Sequence, residues 1–136
     1  MKRVLVLCTG NSCRSIIAEA LINTLGKGRY KADSAGSNPT GNVHPKSIET
    51  LKRHGINITN PSSKSWNEFT GQHFDLVITV CDAAAAESCP AFLGKHEKLH
   101  WSTPDPAKVT GTEEDINTAF DEAFNMLKQR IEKELL

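Results

Sequence analysis

The chain has 136 residues, 38% of them hydrophobic, and its 16 basic and 16 acidic side chains cancel. That length suits one domain, residues 1–136, with a core of its own, and a zero net charge leaves no long-range field for nucleic acid or an anionic membrane. No apolar run approaches the ~18 residues of a membrane span, and no charged-then-apolar leader opens the chain, so a cytoplasmic protein is expected and the Asn57-Ile58-Thr59 sequon has no glycosylation meaning.

Val4 to Leu7 is an uninterrupted aliphatic run, the signature of a strand buried on both faces. The small and polar residues Cys8-Thr9-Gly10-Asn11-Ser12-Cys13 and then Arg14 form a loop, after which Ile17, Ala18, Leu21 and Leu25 fall on one helical face, with Gly26 as the stop. Tyr30 to Ala35 reads as a second strand ending at Gly36, and residues 37–43 are loop by composition. His44-Pro45 opens a helix that carries Ile48 and Leu51 inward and ends near Gly55. Residues 56–73 are a polar connector anchored by Ile56, Ile58, Trp66 and Phe69.

Leu76 to Val80 is the second continuous apolar run, and Cys81 ends it as Cys8 ends the first. Ala83 to Ala86 predict a helix over 82–89, stopped by Pro90. Lys98 to Trp101 reads as a short strand and Ser102 to Pro106 as a rigid loop. Thr112-Glu113-Glu114-Asp115 resembles a capping box, and beyond it Ile116, Phe120, Ala123, Leu127 and Ile131 mark a long amphipathic helix. Strands alternating with helices predict a three-layer α/β fold, a four-stranded parallel sheet flanked by helices. In such folds the site lies beyond the carboxyl ends of the strands, where Cys8, Cys81 and Asp105 would converge.

The loop over 8–14 has the chemistry of an anion cradle. Its backbone N–H groups can point inward, the helix start adds a positive dipole end, and Gly10 and Asn11 tolerate the left-handed φ that a closed loop needs. Arg14 offers a planar fork for a tetrahedral oxyanion. The same field favours a thiolate, lowering a cysteine from its usual pKa of about 8.5, and the Ser15 hydroxyl lies where it could donate to the Cys8 sulfur. Cys8 is therefore the candidate nucleophile.

The four cysteines, at 8, 13, 81 and 89, fit neither a disulfide framework nor zinc-pair spacing, which leaves nucleophilic or redox use. His96-Glu97-Lys98-Leu99-His100 matches H-E-x-x-H, but that pattern binds zinc only on a helix, and Gly94 and Pro104 hem it in. No metal and no cofactor are expected. Asp105, held between Pro104 and Pro106, reads either as a turn residue or as a general acid carried over the anion site.

Cys-x5-Arg followed by Ser, directly after an N-terminal strand, resembles the low-molecular-weight protein tyrosine phosphatase family, and the wording Cys-Thr-Gly-Asn-Ser-Cys-Arg-Ser is most similar to its arsenate reductases. The resemblance spans essentially the whole chain. It implies an oxyanion (arsenate or phosphate-like) bound by residues 8–14, Asp105 as general acid, a mostly structural Cys13, and oxidation relayed from Cys8 to Cys81 and Cys89. It also implies a thioredoxin- or glutaredoxin-type reductant as partner. Where the tyrosine phosphatases follow Asp-Pro with aromatic residues, this chain has Ala107 and Lys108. Eight positions separate Cys81 from Cys89, one more than in well-known thioredoxin-linked members. Some members bind potassium near residues matching Asn11, Glu19 and Ser34 together with an aspartate; Lys64 replaces that aspartate, so the cation site is not carried over. The alternatives are a phosphotyrosine phosphatase using the same loop, or a non-catalytic anion sensor or phosphocarrier. If the 82–89 helix forms, it spans about 12 Å between Cys81 and Cys89, beyond the ~7 Å a disulfide tolerates, so it would have to unwind in each cycle.

Overall fold

A computed structural model describes residues 1–58, 60–69, 71–82 and 97–136. Four strands, β1 (Lys2–Leu7), β2 (Tyr30–Ala35), β3 (Leu76–Thr79) and β4 (Glu97–His100), form one sheet in the order β2-β1-β3-β4. All three pairings are parallel. Three α-helices, α1 (Arg14–Leu25), α2 (Pro45–Arg53) and α3 (Glu113–Glu134), complete the described framework. The helix predicted over 82–89, Cys89 and His96 lie outside the described residues.

The aliphatic runs behave as their composition requires. Val4, Val6 and Ile78 face a core built with Ile17 and Leu21 of α1, Leu51 of α2, and Phe120, Phe124, Leu127 and Ile131 of α3. The alternate residues Leu5, Leu7 and Val77 face the other way, against Phe69 and Phe74. Because strand side chains alternate between faces, a run apolar at every position is one that buries both. Among the described residues the second face is covered by the 3-10 turn Trp66–Phe69 and by Phe74.

Helix ends follow their local chemistry. Gly26 caps α1, its N–H returning to the Ile22 carbonyl. The His44 ring accepts from Lys46 N ahead of Pro45 at the start of α2. Thr112 and Asp115 form the reciprocal capping box that starts α3. The strand expected at 98–101 runs one residue earlier, from Glu97 to His100, because its ladder partner β3 ends at Thr79 opposite His100. A histidine pattern laid along a strand cannot put residues four apart on one helical face, so the zinc-protease geometry is absent from Glu97–His100. No helix among the described residues is long and apolar enough to cross a membrane.

Gly36 fixes how β2 meets the loop after β1. A Cβ at this position would lie 2.3 Å from the Thr9 carbonyl oxygen and 2.5 Å from that of Cys8. Gly36 N also donates to Lys64 O at 2.9 Å and Gly36 O accepts from Trp66 N at 3.0 Å, so the backbone is held from both sides. Both opposing atoms are backbone and neither can swing away. Gly36→Ala is expected to cost at least about 2 kcal/mol in urea unfolding, as overpacking does, and to weaken phosphate protection of Cys8 against alkylation. Parent-like stability and protection would show that the loop yields.

Candidate active site

The loop after β1 is shaped by where its carbonyls go. Cys8 N still belongs to the sheet, donating to Ala35 O at 3.2 Å. Beyond it, Thr9 O accepts from Asn38 N at 3.0 Å, Gly10 O from Thr40 N at 3.0 Å, and Ser12 O from His44 N at 3.1 Å. Ser63 Oγ adds a bond to Gly10 O at 3.1 Å and Ser47 Oγ one to Ser12 O at 3.0 Å. In a planar trans peptide, a carbonyl turned outward turns the next N–H inward. Gly10 N–H duly reaches the Cys8 sulfur. No described hydrogen bond uses the N–H groups of Asn11, Ser12 or Cys13, which stand at the start of α1. That is the donor array of an anion site at a helix N-terminus.

Asn11 makes the turn possible, at φ 47 with its side chain fully buried. Its Nδ2 donates to Ser15 Oγ at 2.8 Å, and its Oδ1 accepts from Lys64 N at 2.9 Å. Ser15 was expected to donate to Cys8; the described bond at its hydroxyl is the one it accepts from Asn11 beneath the loop. No described hydrogen bond joins Ser15 to Cys8. Burial pushes the Cys13 thiol up, against Ser47 and Ser12, so it serves the loop as a small buried thiol. Burial likewise raises the Glu19 carboxyl to about 7, with Lys64 the opposing charge.

The second sulfur arrives from β3. The register pairs Leu7 with Thr79, so two residues on, Thr9 comes level with Cys81. Thr9 N donates to Cys81 Sγ at 3.4 Å. Cys81 and Cys8 stand on the wall of the same cavity, and the Cys8 thiol is pushed up, against the expectation of a lowered pKa. The neighbouring Cys81 raises it most, burial adds to that, and Arg14 and the Gly10 N–H oppose them without prevailing. Two buried sulfurs side by side disfavour a second negative charge.

Arg14 is positioned by the loop after β4. Its Nη1 donates to Thr103 O at 2.9 Å, and its Nη2 lies 3.5 Å from Asp105 Oδ2. Its Nε is buried without a hydrogen-bond partner. Asp105 caps the 3-10 turn Pro106–Lys108, accepting from Ala107 N at 3.0 Å through Oδ1. One Asp105 oxygen thus makes the turn while the other faces Arg14 at the cavity.

These groups share one cavity of about 640 Å³, lined by residues 8–14, Thr40, Cys81, Asp82, Ser102 to Asp105, Ala107 and Lys108. Every sequence-predicted site residue except Ser15, buried below, and Cys89, outside the described residues, lines it. Sequence reasoning missed the residues that turn the carbonyls outward (Asn38, Thr40, His44, Ser47 and Ser63), which carry no motif. Gly36 could have been found as a glycine at a strand's end. The family described as low molecular weight phosphotyrosine protein phosphatase matches residues 3–135. The chain belongs to that family.

Within the family its relatives are specific. It is 36% identical over 130 residues to an arsenate reductase of Halalkalibacterium halodurans, covering 96% of this chain and 92% of that protein. A solved structure described as an arsenate reductase in the phosphate binding state superposes with a TM-score of 0.82 at 28% identity, over 98% of this chain and 95% of the other. One described as an arsenate reductase in oxidized state gives 0.80 at 27% identity, over 98% and 95%.

The sulfur pair makes a direct prediction for this member of the phosphatase family. Because the neighbouring Cys81 is the largest influence raising Cys8, Cys81→Ala should lower the Cys8 pKa. The pH midpoint of Cys8 alkylation by iodoacetamide, followed by peptide mass mapping, is expected to move down and the rate at pH 7 to rise. A midpoint that stays or moves up would remove the coupling between the two thiols.

Proposed function

We propose that this chain, acting as one catalytic domain over 1–136, reduces arsenate to arsenite by thiol chemistry at Cys8. The observation that carries this reading is the second sulfur: Cys81 lines the same cavity as Cys8, its sulfur 3.4 Å from the amide of the next residue, Thr9. A phosphatase needs one nucleophilic thiol and a water molecule, whereas a second thiol within bonding reach turns the same thio-adduct into an oxidation-reduction. No aromatic side chain lines the cavity among the described residues, which suits a small inorganic oxyanion better than an aryl phosphate.

Arsenate binds in the cradle with its oxygens on the inward N–H groups and on Arg14, whose unpartnered Nε is a donor in waiting. Cys8 gives up its thiol proton to the Asp105 carboxylate as its sulfur attacks arsenic, and Asp105 passes a proton to the hydroxyl that leaves as water. Cys81 thiolate then attacks Cys8 Sγ. The S–S bond forms, the S–As bond breaks, and its electron pair stays on arsenic, which departs as arsenite while the two sulfurs are oxidised to a disulfide. Cys89 takes over that disulfide from Cys8 by attack on Cys81, and a thioredoxin- or glutaredoxin-type dithiol returns two electrons to the Cys81–Cys89 pair. A cytoplasmic location fits a cycle that begins with reduced thiols.

The test is arsenate-dependent oxidation of a dithiol protein, with aryl phosphate hydrolysis measured in parallel. Cys8→Ser should abolish turnover, and Arg14→Ala should lower it by roughly 10²–10³-fold, the usual cost of one oxyanion donor. Efficient aryl phosphate cleavage with no arsenate turnover under any dithiol would replace this reading with the phosphatase one. Asp105→Asn is expected to lower single-turnover chemistry by about 10²-fold with arsenate binding nearly intact, since it removes an acid and not a clamp. An unchanged rate would return Asp105 to turn-making alone.

A further inference from the structure

His100, the last residue of the unused H-E-x-x-H match, is the C-terminal residue of β4 and sits opposite Thr79 in the register with β3. Its ring makes two hydrogen bonds. Nδ1 lies 2.7 Å from Thr79 Oγ1, and Nε2 lies 2.9 Å from Asp82 Oδ1. Either arrangement of the Thr79 hydroxyl leaves Nε2–H donating to the Asp82 carboxylate. One imidazole thus joins the residue two positions before Cys81 to the residue one position after it.

The last described ladder bonds on this strand are Val80 N to Leu7 O at 3.1 Å and Thr103 N to Val80 O at 3.1 Å, both before Cys81. Past them the chain leaves the sheet, and Asp82 is the final described residue before position 97. The Asp82 side chain is 80% exposed and that of His100 38% exposed. A contact this open contributes little to folding, so stability does not account for a bridge that ends on Asp82 at the cavity wall. Position does: attack on sulfur needs the incoming thiolate in line with the breaking bond, and a misplacement of about 1 Å can cost 10²-fold.

We propose that His100 is a positioning residue for the redox step: by bonding Thr79 and Asp82 it holds the Cys81 sulfur against Cys8 for disulfide formation. This rests on the two-sulfur reading above. The step it serves is the one already balanced, in which Cys81 thiolate displaces arsenic from Cys8 Sγ and the bonding pair leaves on arsenic as arsenite. The imidazole itself neither gains nor loses a bond to arsenic or sulfur. Asp82 is the far post of the same clamp.

The experiment uses the full chain carrying Cys89→Ser, mixed with arsenate without reductant, quenched at timed intervals and mapped for the Cys8–Cys81 disulfide. Phosphate protection of Cys8 from alkylation reports the cradle separately. His100→Ala is expected to slow disulfide formation at least tenfold while phosphate protection changes less than twofold, and Asp82→Ala, which also removes a carboxylate from the cavity wall, is expected to be at least tenfold slower than Asp82→Asn, which loses the same charge. Asp82→Asn keeps an acceptor for Nε2–H and should recover most of the rate. Should His100→Ala fail to fold, the two Asp82 variants, at the exposed end of the clamp, carry the same expectation. Parent-like disulfide formation in Asp82→Ala, or rates that fall only in step with phosphate protection, would overturn the assignment. If the parent protein itself forms no Cys8–Cys81 disulfide with arsenate, the two-sulfur mechanism fails first, and the role of His100 falls with it.

Discussion

The parallel pairing of β1 with β3 is the constraint on which the rest of this molecule depends. Consecutive strands β1 and β2 lie side by side, and the chain then crosses back to place β3 on the other edge of β1. The strand order reverses between β1 and β3, and in open α/β sheets the crevice at such a point is where ligands bind. The register Leu7 to Thr79 decides which side chains meet there. A slip of one residue would turn every side chain of β3 to the opposite face, burying Thr79 in the helix-side core and carrying Cys81 away from Thr9 and Cys8.

Around that junction the loop after β1 is folded from outside. Its carbonyls are drawn outward by amides and hydroxyls from residues 38 to 63, and its amides turn inward as a geometric consequence. This array favours an anion in the cavity, whether the anion is an oxyanion or a sulfur. The Cys8 thiol is nonetheless pushed up, because the neighbouring Cys81 and burial together outweigh Arg14 and the Gly10 amide. Two sulfurs thus share a cavity with the donor array of the loop.

The same geometry explains the division of labour among the polar residues of the site. Asn11, Ser15 and Cys13 are buried and spend their hydrogen-bonding capacity on the shape of the loop. Arg14 and Asp105 line the cavity and face one another at 3.5 Å, each also anchored by the backbone of the loop after β4. Thr79, His100 and Asp82 form a third group, at the ends of β3 and β4, whose hydrogen bonds bracket Cys81.

Periodicity and local chemistry were enough for the elements. The continuous runs Val4–Leu7 and Leu76–Val80 could only be strands buried on two faces, Pro45 and the Thr112/Asp115 pair announced helix starts, and Cys8 to Arg14 spelled an anion loop, because each of these signals is set within one or two turns of chain. Long-range contacts decided what remained. Ser15 bonds Asn11 and not Cys8, the Cys8 thiol is raised and not lowered, and Gly36 is needed because two carbonyls from another strand end press on it. His100 was readable as half of a metal motif and became, on a strand, a brace across Cys81. Such features depend on which strand ends are neighbours and in what register, and these follow from the packing of the whole sheet, not from any stretch of sequence taken alone.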